Sequence, residues 1–107
     1  MARTAIVTGG GRGIGAAIAK KLAAEGLRVA VLDMGPTEDT VAAITAAGGE
    51  AIGLDADVSD ETSVNNAVAE VADRLGAPTV LINNAGLGTA PLSLTKERVY
   101  SQFGANH

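Results

Sequence analysis

Short apolar runs alternate along this chain with longer segments whose apolar residues recur at helical spacing. Residues 4–8 (Thr-Ala-Ile-Val-Thr) predict a first strand, and residues 28–33 (Arg-Val-Ala-Val-Leu-Asp) a second. Residues 51–55 predict a third and weaker strand, and residues 79–82 (Thr-Val-Leu-Ile) a fourth. Between them, residues 14–25 read as a helix stopped by Gly26, and a second helix runs from a cap at Thr37 to Ala47, stopped by Gly48-Gly49. The clearest stripe is Val64, Ala67, Val68, Val71, Ala72 and Leu75, an i, i+3, i+4, i+7 pattern. It predicts a helix that starts at Ser59 or Asp60 and ends at Gly76-Ala77-Pro78. Residues 87–94 read as loop, and residues 96–107 as the start of a last, poorly patterned helix.

Strand–helix alternation of this kind predicts an α/β fold: a parallel sheet with helices on both faces. Continuous apolar strands such as Val80-Leu81-Ile82 fit burial on both sides. Residues 1–107 are expected to form one unit, with no internal repeat and no linker.

Composition narrows the partners. The 107 residues include no cysteine, which removes disulfides, thiolate metal sites and a cysteine nucleophile; no metal site is expected. The net charge of −4 argues against nucleic-acid and anionic-membrane partners. Aromatic residues are 2% of the chain, too few for a base-stacking platform. No run approaches the roughly 20 apolar residues of a membrane helix, and none near the start resembles a signal-peptide core, so the default expectation is cytoplasmic.

The candidate chemistry lies between the first strand and the first helix. Thr8-Gly9-Gly10-Gly11-Arg12-Gly13-Ile14-Gly15 contains Gly11-x-Gly13-x-x-Ala16, a match to the generic dinucleotide fingerprint in its required strand–loop–helix context. A pyrophosphate needs backbone N–H groups at a helix N-terminus, and a Cβ there would hold the phosphates away. A nucleoside-triphosphatase loop is excluded, since Ala16-Ala17 stand where Lys and Ser/Thr are required. Asp33 closes the second strand, 18 residues after Gly15, near where dinucleotide folds place an acid for the ribose hydroxyls.

Three features coincide: this loop, Asp57-Val58 after the third strand, and Asn83-Asn84-Ala85-Gly86 at the end of the fourth. Together they resemble the short-chain dehydrogenase/reductase family, especially its 3-oxoacyl-(acyl carrier protein) reductase-like branch. The resemblance is dense from residue 3 to residue 86 and thinner beyond. It implies that Gly9, Gly11, Arg12, Gly13, Ile14 and Gly15 surround the cofactor's phosphates and adenosine side. Asp33 and Met34 would border the adenosine ribose. Asp57 would bond the adenine amino group, with Val58 packing on the ring. Asn84, Ala85 and Gly86 would line the nicotinamide-side ribose, while Asn83 would bridge strands. Asn106 resembles the asparagine that helps hold a proton-relay water, and is the one catalytic candidate.

The family's proton-transferring pair is a Tyr with a Lys four residues later. The sole tyrosine, Tyr100, is followed at that spacing by Gly104. The resemblance therefore implies that residues 1–107 are the N-terminal, dinucleotide-binding portion of a Rossmann-type doubly wound parallel sheet, incomplete at about four strands in the order 3-2-1-4, in a reductase more than twice this length and inactive as this chain alone. The expected reaction is hydride transfer between nicotinamide and a carbonyl or secondary alcohol, in a homo-oligomer. Arg12 suits the 2′-phosphate of NADP, but Asp33 opposes it. Like unit charges about 4 Å apart repel by about 4 kcal/mol at an effective dielectric near 20, about three decades in affinity. NAD is expected over NADP. Two other readings share these residues: a non-catalytic nucleotide-binding or redox-sensing module, and a methyltransferase using a nucleoside cofactor, against which Asn83-Asn84-Ala85-Gly86 argues.

Overall fold

The computed structural model describes residues 2–84. Four strands and three helices follow in the order β1 (Thr4–Thr8), α1 (Gly13–Ala24), β2 (Arg28–Asp33), α2 (Glu38–Ala46), β3 (Glu50–Asp55), α3 (Glu61–Leu75) and β4 (Pro78–Asn83). The strands form one sheet in the order β3-β2-β1-β4, with every pair parallel. This is the expected α/β class and strand order.

Strand alternation divides the core between the two faces of the sheet. Ile6, Ala30 and Leu32 point to one face, where they meet Val64, Ala67, Val68, Val71 and Leu75 of α3. Val7, Val29 and Val31 point to the other, against Ala19 of α1 and Ile44 of α2. Both faces of the central strands are covered, which is why β1 and β2 read as unbroken apolar runs rather than as alternating ones.

The helix ends have local causes. After α1, Gly26 at φ 98° lets its N–H reach the Ala23 carbonyl and the Leu27 N–H reach Leu22. After α2, Gly48 at φ 92° does the same, with Gly48 bonding Thr45 and Gly49 bonding Ile44. Both are Schellman turns, closed by the left-handed conformation that glycine adopts without strain. Asp60 caps α3, its Oδ1 accepting from the N–H groups of Thr62 (3.0 Å) and Ser63 (3.4 Å). Thr37 holds the N-cap position of α2 as expected, but its hydroxyl makes no capping bond. It lies instead over Gly53 of β3, where a Cβ would strike it.

The register between β1 and β4 shifts once. Thr4 pairs with Pro78 and Ala5 with Val80, so Thr79 is passed over. Pro78 lacks an N–H and sits at the first position of its strand, where a missing donor costs least. The Thr79 hydroxyl accepts from Arg3 Nε at 3.1 Å. Below the sheet, Arg28 Nη1 (2.7 Å) and the Thr4 hydroxyl (3.0 Å) both donate to the Leu75 carbonyl, tying the C-terminus of α3 to β1 and β2.

Because all strands run the same way, Thr8, Asp33, Asp55 and Asn83 end on a single edge of the sheet. The chain first builds outward from β1 through β2 to β3, and α3 then carries it back to β4 on the opposite side of β1. The order reverses at β1, so the loop after that strand opens at the point where open α/β sheets bind ligands.

Candidate functional site

The loop between β1 and α1 occupies this switch point. Gly9 leaves the strand at φ 65°, and its N–H donates to the Leu32 carbonyl of β2 at 2.7 Å. Gly10 lies flat on the sheet: a Cβ there would come 2.9 Å from Val31 Cγ1 and 3.2 Å from the Val7 carbonyl oxygen. Arg12 is the extended N-cap of α1 and makes no side-chain cap bond. The first intrahelical bond is that of Ala16 to the Arg12 carbonyl, at 3.2 Å. The amides of Gly13, Ile14 and Gly15 have no partner among the described residues. Where α3 has Asp60 to accept its first amides, α1 presents bare donors and the positive end of its dipole.

The glycines of this loop serve three different purposes. Gly13 has φ 61°, and a Cβ there would meet nothing within 4 Å; it faces open space and needs glycine for its backbone. A Cβ on Gly15 would strike the Gly9 carbonyl oxygen and the Asn84 side chain, so this position is glycine for close packing of helix on loop and strand. A Cβ on Gly11 would strike the Pro36 carbonyl oxygen and the Asp33 carboxylate. Room for a phosphate, the reason the sequence suggests for these glycines, is therefore not the reason at Gly11 and Gly15: protein atoms already fill the space there.

Asp33 reaches two loops at once. Its Oδ2 accepts from the Gly11 N–H and its Oδ1 from the Gly35 N–H, each at 2.9 Å. Each oxygen retains a further lone pair for a ligand hydroxyl. Met34, next in the chain, is 65% exposed, and Ile14 at the start of α1 is 73% exposed. Among the described residues these are the exposed large hydrophobic side chains, and both flank the glycine loop. Arg12 is exposed beside them.

On the β3 side, Asp57 forms a turn before the cap of α3. Its Oδ1 accepts from the Ser59 hydroxyl (2.6 Å) and the Ser59 N–H (2.9 Å), while Oδ2 has no partner among the described residues. The Ser59 hydroxyl, and then the Ser59 amide, hold the Asp57 carboxyl below its ordinary value of 3.8. The Asp57 N–H donates to the Ser63 hydroxyl at 2.9 Å. Val58 is 8% exposed and lies in the core under α3.

On the β4 side, Thr8 is the junction. Its hydroxyl donates to Asn83 Oδ1 at 3.0 Å and accepts from the Asn84 N–H at 2.9 Å. Asn84 Nδ2 in turn donates to the Gly9 carbonyl at 3.3 Å. The end of β4 is thus pinned to the glycine loop through two residues of the Asn-Asn pair. Ala85, Gly86, Tyr100 and Asn106, with the predicted loop at 87–94 and helix at 96–107, lie outside the described residues.

Sequence reasoning named Thr8 only as the start of the glycine loop and Ser59 only as a helix start, and missed Thr40 and Ser63. Thr40 carried one legible signal, a polar residue beside Val41 on the apolar side of its helix. The serines carried none, because hydroxyl side chains near a helix start are ordinary. Among the described residues, no three His, Asp or Glu side chains gather as metal ligands, and no helix is long and apolar enough to cross a membrane.

Known proteins share both sequence and shape with this chain. The L-2,3-butanediol dehydrogenase of Corynebacterium glutamicum is 38% identical over 112 aligned residues, covering 99% of this chain and 43% of that protein. The short-chain reductase protein NovJ of Streptomyces niveus is 50% identical over 93 residues, 85% of this chain and 36% of its own length. A crystal structure of a dehydrogenase/reductase from Sinorhizobium meliloti 1021 superimposes with a TM-score of 0.78 at 40% identity, covering 95% of this chain and 42% of that one. The chain spans well under half the length of the curated relatives it matches. The model of the short chain dehydrogenase family matches residues 3–106, and with that match the parallel sheet, its strand order and its glycine loop have one common explanation: the chain belongs to the short-chain dehydrogenase family.

Proposed function

We propose that residues 1–107 are the nicotinamide-dinucleotide-binding portion of an NAD(P)-dependent oxidoreductase, one that exchanges hydride between the nicotinamide and a carbonyl or secondary alcohol. The observation that carries this reading is the bare N-terminus of α1 at the switch point, with three partnerless amides and Asp33 beside them. A diphosphate satisfies those amides and the helix dipole together. The exposed side chains of Ile14 and Met34 supply apolar cover for an adenosine, which accounts for two large hydrophobics otherwise left in water.

In this reading Gly13, Ile14 and Gly15 hold the diphosphate, with Gly9 and Gly11 shaping the turn. Asp33 accepts from the adenosine ribose hydroxyls, and the unpartnered Oδ2 of Asp57 accepts from the adenine amino group. Val58 gives a wall on the same side. Asn84, Ala85 and Gly86 border the second ribose, and Asn106 assists proton relay. Bound there, the nicotinamide supplies the hydride chemistry; the chain's residues bind and orient it. No Tyr in this chain has a Lys four positions later, so proton transfer to the substrate oxygen is assigned to none of residues 1–107. NAD is favoured over NADP, because the Asp33 carboxylate stands where a 2′-phosphate would bring further negative charge.

The test is fluorescence titration of the protein that carries this chain with NADH and NADPH. Saturable binding of both, tighter for NADH, is the expected result. Absence of binding, or S-adenosylmethionine bound in preference, overturns the reading.

A further inference from the structure

Thr40 is 1% exposed, on the face of α2 that packs against the sheet with Val41 and Ile44. A buried hydroxyl needs a partner. Thr40 stands in the first turn of α2, where no carbonyl of its own helix lies four residues back. Its hydroxyl donates instead at 2.9 Å to the carbonyl of Gly10, thirty positions earlier.

That bond completes an arrangement around a single peptide unit. The Gly10 carbonyl accepts from Thr40, and the N–H of the same peptide, that of Gly11, donates to Asp33 Oδ2 at 2.9 Å. A trans peptide directs its C=O and N–H to opposite sides. Anchoring both ends stops the plane from rotating. Gly9, Gly10 and Gly11 are consecutive, and three glycines in sequence are the least restrained backbone a loop can have. The peptide lies immediately before Arg12 and the partnerless amides of α1. Its orientation sets the direction in which the chain enters that helix.

We propose that Thr40 is a positioning residue for dinucleotide binding: from α2 it locks the Gly10–Gly11 peptide, and through it the amide cradle at the start of α1. The proposal rests on the reading of that cradle as a diphosphate site.

The test uses the protein that carries this chain, with Thr40→Val, which keeps the shape and removes the hydroxyl, and Thr40→Ser, which keeps the hydroxyl. Each is titrated with NADH, ADP-ribose and adenosine. Thr40→Val should weaken NADH and ADP-ribose by about tenfold, the scale of one buried hydrogen bond with its acceptor left unmet. Adenosine, which lacks the diphosphate, should change less than about twofold, and Thr40→Ser should stay within about twofold of the parent for all three. Equal weakening of all three ligands would show a merely structural role and overturn the proposal. So would unchanged NADH affinity in Thr40→Val, or loss in Thr40→Ser equal to that in Thr40→Val. If Thr40→Val does not fold, Thr40→Ala replaces it: a water admitted to the Gly10 carbonyl spares the fold but does not tie that peptide to α2, so NADH and ADP-ribose should still weaken and adenosine should not. A parent protein that binds neither NADH nor ADP-ribose overturns the cofactor reading itself, whereas parent binding with an indifferent Thr40→Val overturns this proposal alone.

Discussion

Replacement of Gly15 by alanine places a methyl group against the Gly9 carbonyl oxygen and the Asn84 side chain. The neighbours are a loop backbone and an amide already bonded to it at 3.3 Å, so relief requires α1 to move off the loop and that bond to break. Overpacking of this kind costs about 1–3 kcal/mol, and the lost hydrogen bond about 1 kcal/mol. The better helix propensity of alanine returns up to about 1 kcal/mol. The net expectation is a loss of about 2 kcal/mol. Gly13→Ala is the control, because Gly13 has open space around it and only its φ of 61° resists a side chain. A left-handed residue costs about 1–2 kcal/mol, part of which the stiffer unfolded chain recovers. The assay is urea unfolding at unchanged m-value, run as double-mutant cycles with Asn84→Ala. Removing the Asn84 side chain relieves one of the two collisions at Gly15, so that pair should fall short of additivity by about 1 kcal/mol. Gly13→Ala with Asn84→Ala should add within about 0.5 kcal/mol. Additivity in the Gly15 cycle, or a Gly15→Ala cheaper than Gly13→Ala, would refute the assignment of Gly15 to packing and Gly13 to conformation.

Three further outcomes are expected. Asp33→Ala should raise NADPH affinity more than it changes NADH affinity, read by parallel fluorescence titration; equal effects on the two would remove the charge argument for NAD. Thr8→Val should destabilise the protein by about 1–3 kcal/mol, because it leaves the Asn84 N–H without its acceptor and Asn83 Oδ1 without its donor; a urea midpoint unchanged from the parent would show that the strand ends do not depend on this hydroxyl. The Asp57 carboxyl is held below its ordinary 3.8 by Ser59, so its contribution to stability is complete above that unfolded value and is lost as pH falls through the lower folded one. Ser59→Ala should return the Asp57 titration toward 3.8, followed by NMR of the side-chain carboxyl carbon. A midpoint that does not move would exclude the Ser59 hydroxyl as the main cause of the shift.

Much of this fold was legible in the sequence because its signals are local. The α3 stripe predicts a helix from spacing alone, and Val64, Ala67, Val68, Val71 and Leu75 are the residues it buries. Gly26 and Gly48 mark helix ends because only a left-handed residue closes those turns. The apolar runs of β1 and β2 announce burial on both faces, and their alternation with helices announces a parallel sheet. The glycine loop, Asp33 and Asp57 are visible for the same reason: each belongs to a short stretch whose chemistry and context adjoin in the chain.

The tertiary structure decided what adjoins across the chain. Nothing near Gly15 in sequence says that Asn84 stands against it, and nothing near Gly10 says that a hydroxyl from α2 will hold its carbonyl. Those pairings exist because the sheet order puts β4 beside β1 on one side, while β2 on the other carries α2 over the loop. A glycine in a sequence states only that a side chain is missing. Whether the missing Cβ makes room for a ligand, a turn or a neighbouring strand depends on atoms brought together by parallel pairing, and Gly11, Gly13 and Gly15 divide on that basis.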